Sequence, residues 1–430
     1  MSLVPFFLVI ITVMFAIGGT PPPMAQAQSF TIKARVSNMS SLDHKLRQKL
    51  LTQISKTRVL DLDHGIINPH LPSGLFYVNA HIGTPPLSIN LALDTFFPLT
   101  WVQSVDCQDC FSVSYPLSNF DPKKSTTFQP LPPNNSIICS PPIAHPSAAG
   151  STCAYEAGYS RGIFGIDKFY LSPPSTGAAA NLIAFGCGTR SFVDFDVGWD
   201  FNPIGGMLGL GKGHSSSIIT QLGSDRFSYC LPGRSLSHPG QPTLDFGSDA
   251  DASLHASATN NIQTTQIFFD EFNYLNMTTI TLNGEIVYTM PETGAGAKLV
   301  FLDTGEPSTW LVEEPYFSLQ DAVVRYFADK YGWKEPRPSF DPEKGGIAFD
   351  LCYDIPANLS SVVFPTVAMQ FLGGASLELQ DVFEIFPEFH AMCMVIREGA
   401  PNVVGVFQQM GYRFLFDLAQ SKLSFAPNMC

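Results

Sequence analysis

The chain has 430 residues, room for two or three domains of ordinary size, and a net charge of −13. It is 45% hydrophobic and only 14% charged, which excludes disorder over most of its length. The acidic balance argues against a nucleic-acid partner, since phosphate binding needs basic stripes.

The first element is an apolar run from Val4 to Ile17. It reads as the core of a signal peptide over residues 1–27, with Ala25-Gln26-Ala27 as the small-x-small cleavage site. Its leading residues lack Lys and Arg, and the competing reading is an uncleaved anchor. A span needs ~20 apolar residues, more than this run offers, so no stable membrane span is expected. Secretion to the extracellular space or cell wall follows, with the vacuole as the alternative.

Residues 28–72 read as a basic pro-segment. The stretch to about residue 65 holds seven of the 24 Lys and Arg residues and three of the 37 acids. A basic leader on an acidic body is held by charge and released where carboxylates protonate. The plain alternative is a solvated helix on a variable terminus.

The body is expected to start near Gly74. Leu75–Ile82 alternates like a strand, and Gly83-Thr84-Pro85-Pro86 is its turn. High Phe (35), Pro (34) and Gly (34) favour many short strands. Further strand-like pieces are Ala184–Gly188, Gly206–Gly211, Arg226–Cys230 and Ile280–Leu282. Others lie around 364–371, 377–379 and 403–407. Helices are expected near Ser216–Leu222 and Pro315–Tyr331. Residues 231–260 read as the link between two halves, 73–245 and 246–430.

Two apolar strands end on the same phrase. Leu91-Ala92-Leu93-Asp94-Thr95 is followed by Leu99-Thr100-Trp101-Val102, and Phe301-Leu302-Asp303-Thr304-Gly305 by Ser308-Thr309-Trp310-Leu311. Asp-Thr alone is weak, and a lone aspartate here is more often a turn residue. The shared lead-in and follow-on make this an internal repeat, one motif per half. Gly205–Gly213 is no phosphate loop, because Lys212 is out of frame. Nine cysteines without zinc spacing behind a signal peptide read as disulfides, with at least one thiol left over. The lone Cys107-Gln108-Asp109-Cys110 lacks a redox context. Asn38, Asn134, Asn276 and Asn358 begin glycosylation sequons.

Taken in register, these phrases resemble the plant nepenthesin-like branch of the pepsin-like aspartic peptidases. The landmarks include Ile82–Pro86, Asp94-Thr95, Phe185-Gly186-Cys187-Gly188, Leu208–Gly211, Phe227–Leu231, Asp303-Thr304-Gly305, Phe407-Gln408-Gln409 and Leu423–Pro427. The resemblance implies a mainly β, bilobal pepsin-like fold with a central cleft. It implies a dyad, Asp94 and Asp303, sharing one proton and activating water against a protein or peptide substrate at acid pH. Thr95 and Thr304 would tie the two loops, Gly305 would leave room, and Gly209 and Gly405 would brace them. Tyr159 matches the flap tyrosine. Cys352 and Cys393 match the disulfide of the second lobe. No cofactor or metal is implied, and the protein would be a monomer.

The chain departs from the family at the site itself. Phe96 and Phe97 stand where the pattern has Gly and Ser, and Glu306 where it has a Thr or Ser. The hairpin at Tyr159 is about five residues shorter by the same comparison, and Ser104 replaces a cysteine. Two functions therefore compete: a secreted aspartic endopeptidase of impaired activity, and a non-catalytic binding protein like the glycosidase-inhibitor and storage-globulin relatives.

Overall fold

The computed structural model describes residues 64–70, 75–114, 116–148, 150–157, 159–174, 180–193, 202–233, 242–256, 262–269, 272–291, 298–333, 336, 349–387 and 390–427. The expected signal peptide and the pro-segment up to residue 63 lie outside them. All described residues belong to one unit, Thr57–Cys430.

The chain is mainly β and bilobal. Each lobe is built on the same crossing. In the first, Leu87–Asp94 runs parallel to Ile204–Gly209, with Gly209 opposite Asp94. Ile204–Gly209 in turn pairs antiparallel with Trp101–Gln103. In the second, Leu299–Leu302 runs parallel to Asn402–Val404, with Leu302 opposite Val404. Asn402–Val404 then pairs antiparallel with Thr309–Leu311 through Trp310 and Val403. The repeat in the sequence is thus a repeat in topology. From Ile89 to Asp94 every residue is buried, as a strand covered on both faces requires. Leu75–Ile82 lies at its flank and alternates.

The threonines of the Thr-Trp follow-on close each crossing. Thr100 Oγ1 accepts the Gly209 N–H at 3.1 Å, and Thr309 Oγ1 accepts the Gly405 N–H at 3.0 Å. A Cβ at either glycine would overlap backbone of the facing segment, Pro98–Leu99 or Pro307–Ser308. Glycine is required there by close approach.

Four expectations change. The sheet begins at His64, not near Gly74: His64–His70 pairs with both Leu75–Ile82 and Thr243–Phe246. His64–His70, within the stretch read as pro-segment, thus pairs with the body. Pro69 hid it, but Pro69 sits where the strand has a neighbour on one side only, a place where proline is tolerated. Residues 231–260 are not all linker, because Thr243–Phe246 is a strand and Ser248–Ala256 a helix. The strand around 364–371 is confined to Val367–Phe371, following Pro365. Past Val404 the chain turns at Gly405 into a short helix, Val406–Gln409.

The two halves also share a sheet. Tyr412–Asp417, near the end of the chain, pairs with Arg226–Cys230 of the first half. The buried Arg413 guanidinium holds Asp245 at 2.8 Å across this seam. The helix Glu313–Tyr331 buries Tyr316, Leu319, Val323 and Phe327, one stripe at helical spacing, and stops at left-handed Gly332.

Candidate active site

Asp94 ends the strand Leu87–Asp94, and the chain turns back around its carboxylate. Asp94 Oδ1 accepts the N–H groups of Phe96 at 2.9 Å and Phe97 at 2.8 Å. Asp303 repeats this in the second lobe, where Oδ1 accepts the Gly305 N–H at 2.7 Å and the carboxyl also accepts the Glu306 N–H. Backbone donors are available from any residue but proline. Losing Gly and Ser at 96 and 97 therefore leaves this part of the loop intact.

Thr95 and Thr304 join the loops. Each backbone N–H donates to the other's Oγ1 at 3.2 Å. Thr95 Oγ1 donates onward to the Leu302 carbonyl at 2.7 Å. All four residues of the two Asp-Thr pairs are buried. Thr304→Val keeps the shape but leaves the buried Thr95 N–H unpaired. It is expected to lower stability by about 1–3 kcal/mol, read as a lower midpoint in chemical denaturation.

The carboxyls converge on Gly305. A Cβ there would stand 3.2 Å from Asp303 Oδ1 and 3.4 Å from Asp94 Cγ. Burial pushes the Asp94 carboxyl up to about 7, against the pull of the Phe97 and Phe96 N–H groups. Asp303 is raised well above the usual carboxylate range, first by burial, then by the charges of Asp94 and Glu306. Two acids in one dry site cannot both ionise cheaply, so the pair keeps a proton between them.

Aromatic rings occupy the ground that glycine and serine would leave open. Phe96 reaches into the second lobe, stacked on Phe272 with ring centres 4.3 Å apart and planes 6° apart. Its edge meets Phe301 at 5.0 Å. Phe301 points outward because Val300 and Leu302, its neighbours on the strand, take the buried face. Phe97 stands edge-on to Phe272 at 5.5 Å and to Tyr159 at 5.8 Å.

Tyr159 lies in the turn of the hairpin whose last paired residues are Ala157 and Ser160. Its carbonyl is held by the Phe192 N–H at 2.7 Å. Its hydroxyl is raised well above its ordinary value by burial, then by Asp303, Asp94 and Glu306. The structure therefore brings together Asp94, Thr95, Tyr159, Asp303, Thr304 and Gly305.

Cys352 and Cys393 are elsewhere. They are disulfide-bonded between paired strands of the second lobe, with Cα atoms 4.0 Å apart. Cys107–Cys110 and Cys139–Cys153 are also bonded, and Cys187 is a buried free thiol. Among the described residues no group of three or more His, Cys, Asp or Glu could hold a metal.

Two contributions escape the sequence. Phe272 is one of five aromatics between Phe268 and Tyr274 or at Phe301, and that density was its only signal. Tyr229 donates to Gln409 Oε1 at 2.6 Å, and Gln409 Nε2 donates to the Val404 carbonyl at 2.8 Å. The landmarks Phe227–Leu231 and Phe407–Gln409 thus meet under the second loop, where Tyr229 feels the Asp303 charge.

Residues 76–248 match the family model described as xylanase inhibitor N-terminal, and residues 273–427 match xylanase inhibitor C-terminal. The chain is 30% identical over 382 residues to aspartyl protease family protein 2 of Arabidopsis thaliana, covering 83% of this chain and 71% of that one. It is 27% identical over 388 residues to aspartic proteinase nepenthesin-2 of Nepenthes gracilis, covering 86% and 82%. Among solved structures it shares its fold with conglutin gamma, a basic 7S globulin from lupine seeds. There the TM-score is 0.61 at 18% identity, over 85% of this chain and 95% of that one. With both lobes matched and the two Asp-Thr loops back to back, the chain belongs to the plant, nepenthesin-like branch of the pepsin-like aspartic proteases.

Proposed function

We propose that the chain is a secreted aspartic-type endopeptidase that cleaves protein or peptide substrates at acid pH, slowly for its family. The observation that carries this reading is the convergence of two buried carboxyls on Gly305 under the Thr95–Thr304 tie. One carboxylate takes a proton from a bound water, whose oxygen attacks the peptide carbonyl carbon. The other gives its proton to the carbonyl oxygen, and the tetrahedral diol then collapses with a proton passing to the leaving amine. Asp303, which faces Glu306 as well as Asp94, is the favoured holder of the shared proton, leaving Asp94 as base. Secretion is supported by the apolar leader, the disulfides and the exposed sequons at Asn134 and Asn358. Among the described residues no helix is long and apolar enough to cross a membrane. We take the working form to be a monomer.

A second reading has its own observation. Phe96, Phe97, Phe272 and Tyr159 crowd the approach to the dyad, as a site retired into a binding surface would allow. The two part on one assay. Residues 28–430 from a secretory host are held at pH 3–5 with denatured globin, with and without pepstatin. Loss of the basic leader is followed on the same gel. Pepstatin-sensitive cleavage supports the endopeptidase; a folded, soluble protein that cleaves nothing supports the binding reading.

A further inference from the structure

A pair of acids sharing one proton responds to any third charge beside it. Glu306 is that charge, three residues after Asp303 in the second loop. Its Oε1 accepts the Ser308 N–H at 3.1 Å, which folds the carboxyl back against the loop. Trp310, on the strand Thr309–Leu311, turns its buried indole Nε1–H toward the Glu306 carboxyl. The Arg397 guanidinium, from the neighbouring strand Ile396–Glu398, lies 4.3 Å from the centre of the Trp310 ring.

The charged and titratable groups facing Glu306 are Asp303 from its own loop, Tyr159 from the hairpin turn and Arg397 from the adjacent strand. Behind Arg397 stand Asp350 and Tyr316, and Glu398 acts on Tyr316. The Arg397 charge is divided between Glu306 and Asp350, so it does not cancel the charge that Glu306 turns on the dyad.

We propose that Glu306 is a positioning residue that keeps the shared proton on the Asp94–Asp303 pair as the solution becomes less acidic. The proposal rests on the endopeptidase reading and deepens it. In strong acid Glu306 is neutral and adds little. As it ionises, its charge opposes loss of the last dyad proton, so the singly protonated, water-activating form survives to weaker acidity. A hydroxyl at this place would donate a hydrogen bond and bring no charge. Burial also raises Glu306 itself, against the pull of the Ser308 N–H, the Trp310 indole and Arg397. Its charge therefore appears only as the solution becomes less acidic.

Two variants test it: Glu306→Gln, nearly isosteric and neutral, and Glu306→Thr, which restores a hydroxyl. In both, the basic limb of the kcat/KM profile on a peptide substrate is expected to move down by about one pH unit, with the acid limb in place. An unmoved basic limb in both variants overturns the proposal. Infrared titration of isotope-labelled aspartate carboxyls reads the same quantity without turnover. There the highest carboxyl midpoint is expected to fall by about one pH unit in Glu306→Gln, and an unchanged midpoint overturns the role of Glu306. A shifted midpoint in a protein that cleaves nothing supports that role and overturns only the endopeptidase reading.

Discussion

Asp94→Asn and Asp303→Asn are each expected to lower acid cleavage of denatured globin by about 10³- to 10⁴-fold. The two carboxyls act as one proton-sharing unit, so the double variant should fall little further. The same substitutions carry a stability signature of known sign. Asp303 binds its proton more tightly in the fold than its ordinary value of 3.8 allows, through burial first and then the charges of Asp94 and Glu306. Its contribution to stability is therefore full below the ordinary value and lost as the pH rises through the raised one. Asparagine has no proton to lose. From pH 4 to pH 7 the thermal midpoint of Asp303→Asn should thus drop less than that of the native chain, by roughly 2–4 °C. Equal drops in calorimetry would show that Asp303 is already ionised in the fold at pH 4.

The second large effect is a gain. Phe96→Gly with Phe97→Ser is expected to raise kcat/KM by about 10²-fold. Phe96 touches Phe97, Phe272 and Phe301, and Phe97 touches Tyr159 and Phe272. Aromatic pairs contribute about 0.5–1.5 kcal/mol each beyond their buried area. Opening the ground above the dyad against several such pairs costs an amount that corresponds to about that factor. The glycine removes the ring that crosses to the second lobe, and the serine restores a hydroxyl beside Asp94. The gain has a structural cost of about 2–4 kcal/mol, because two half-buried rings are deleted. Kinetics should therefore be measured below the lowered thermal midpoint. Phe272→Ala isolates the cross-lobe stack and should show a smaller gain in the same direction.

Much of this site could be read from residue order, and the reason is local. A strand that buries an apolar run and ends on Asp-Thr carries its own signature, and two such strands define two lobes. The Thr-Trp follow-on was legible as a repeat, but the work of Thr100 and Thr309 was not. Their hydroxyls meet Gly209 and Gly405, about a hundred residues downstream. His64–His70 stayed hidden because its pairing partners, Leu75–Ile82 and Thr243–Phe246, supply the order that its own Asn-Pro does not. The return of Tyr412–Asp417 to the first half is a long-range pairing with no local mark. The aromatic contacts are the clearest case. Phe96 and Phe97 were visible as departures, while Phe272 became a partner only through the closure of the two lobes.

The most direct test compares three purified proteins at pH 4 on denatured globin: the native chain, Phe96→Gly/Phe97→Ser, and that pair combined with Asp303→Asn. Slow pepstatin-sensitive cleavage by the first, faster cleavage by the second and none by the third is the predicted result. A folded Phe96→Gly/Phe97→Ser protein that leaves globin intact would contradict it, because the dyad would then be silent with its rings removed.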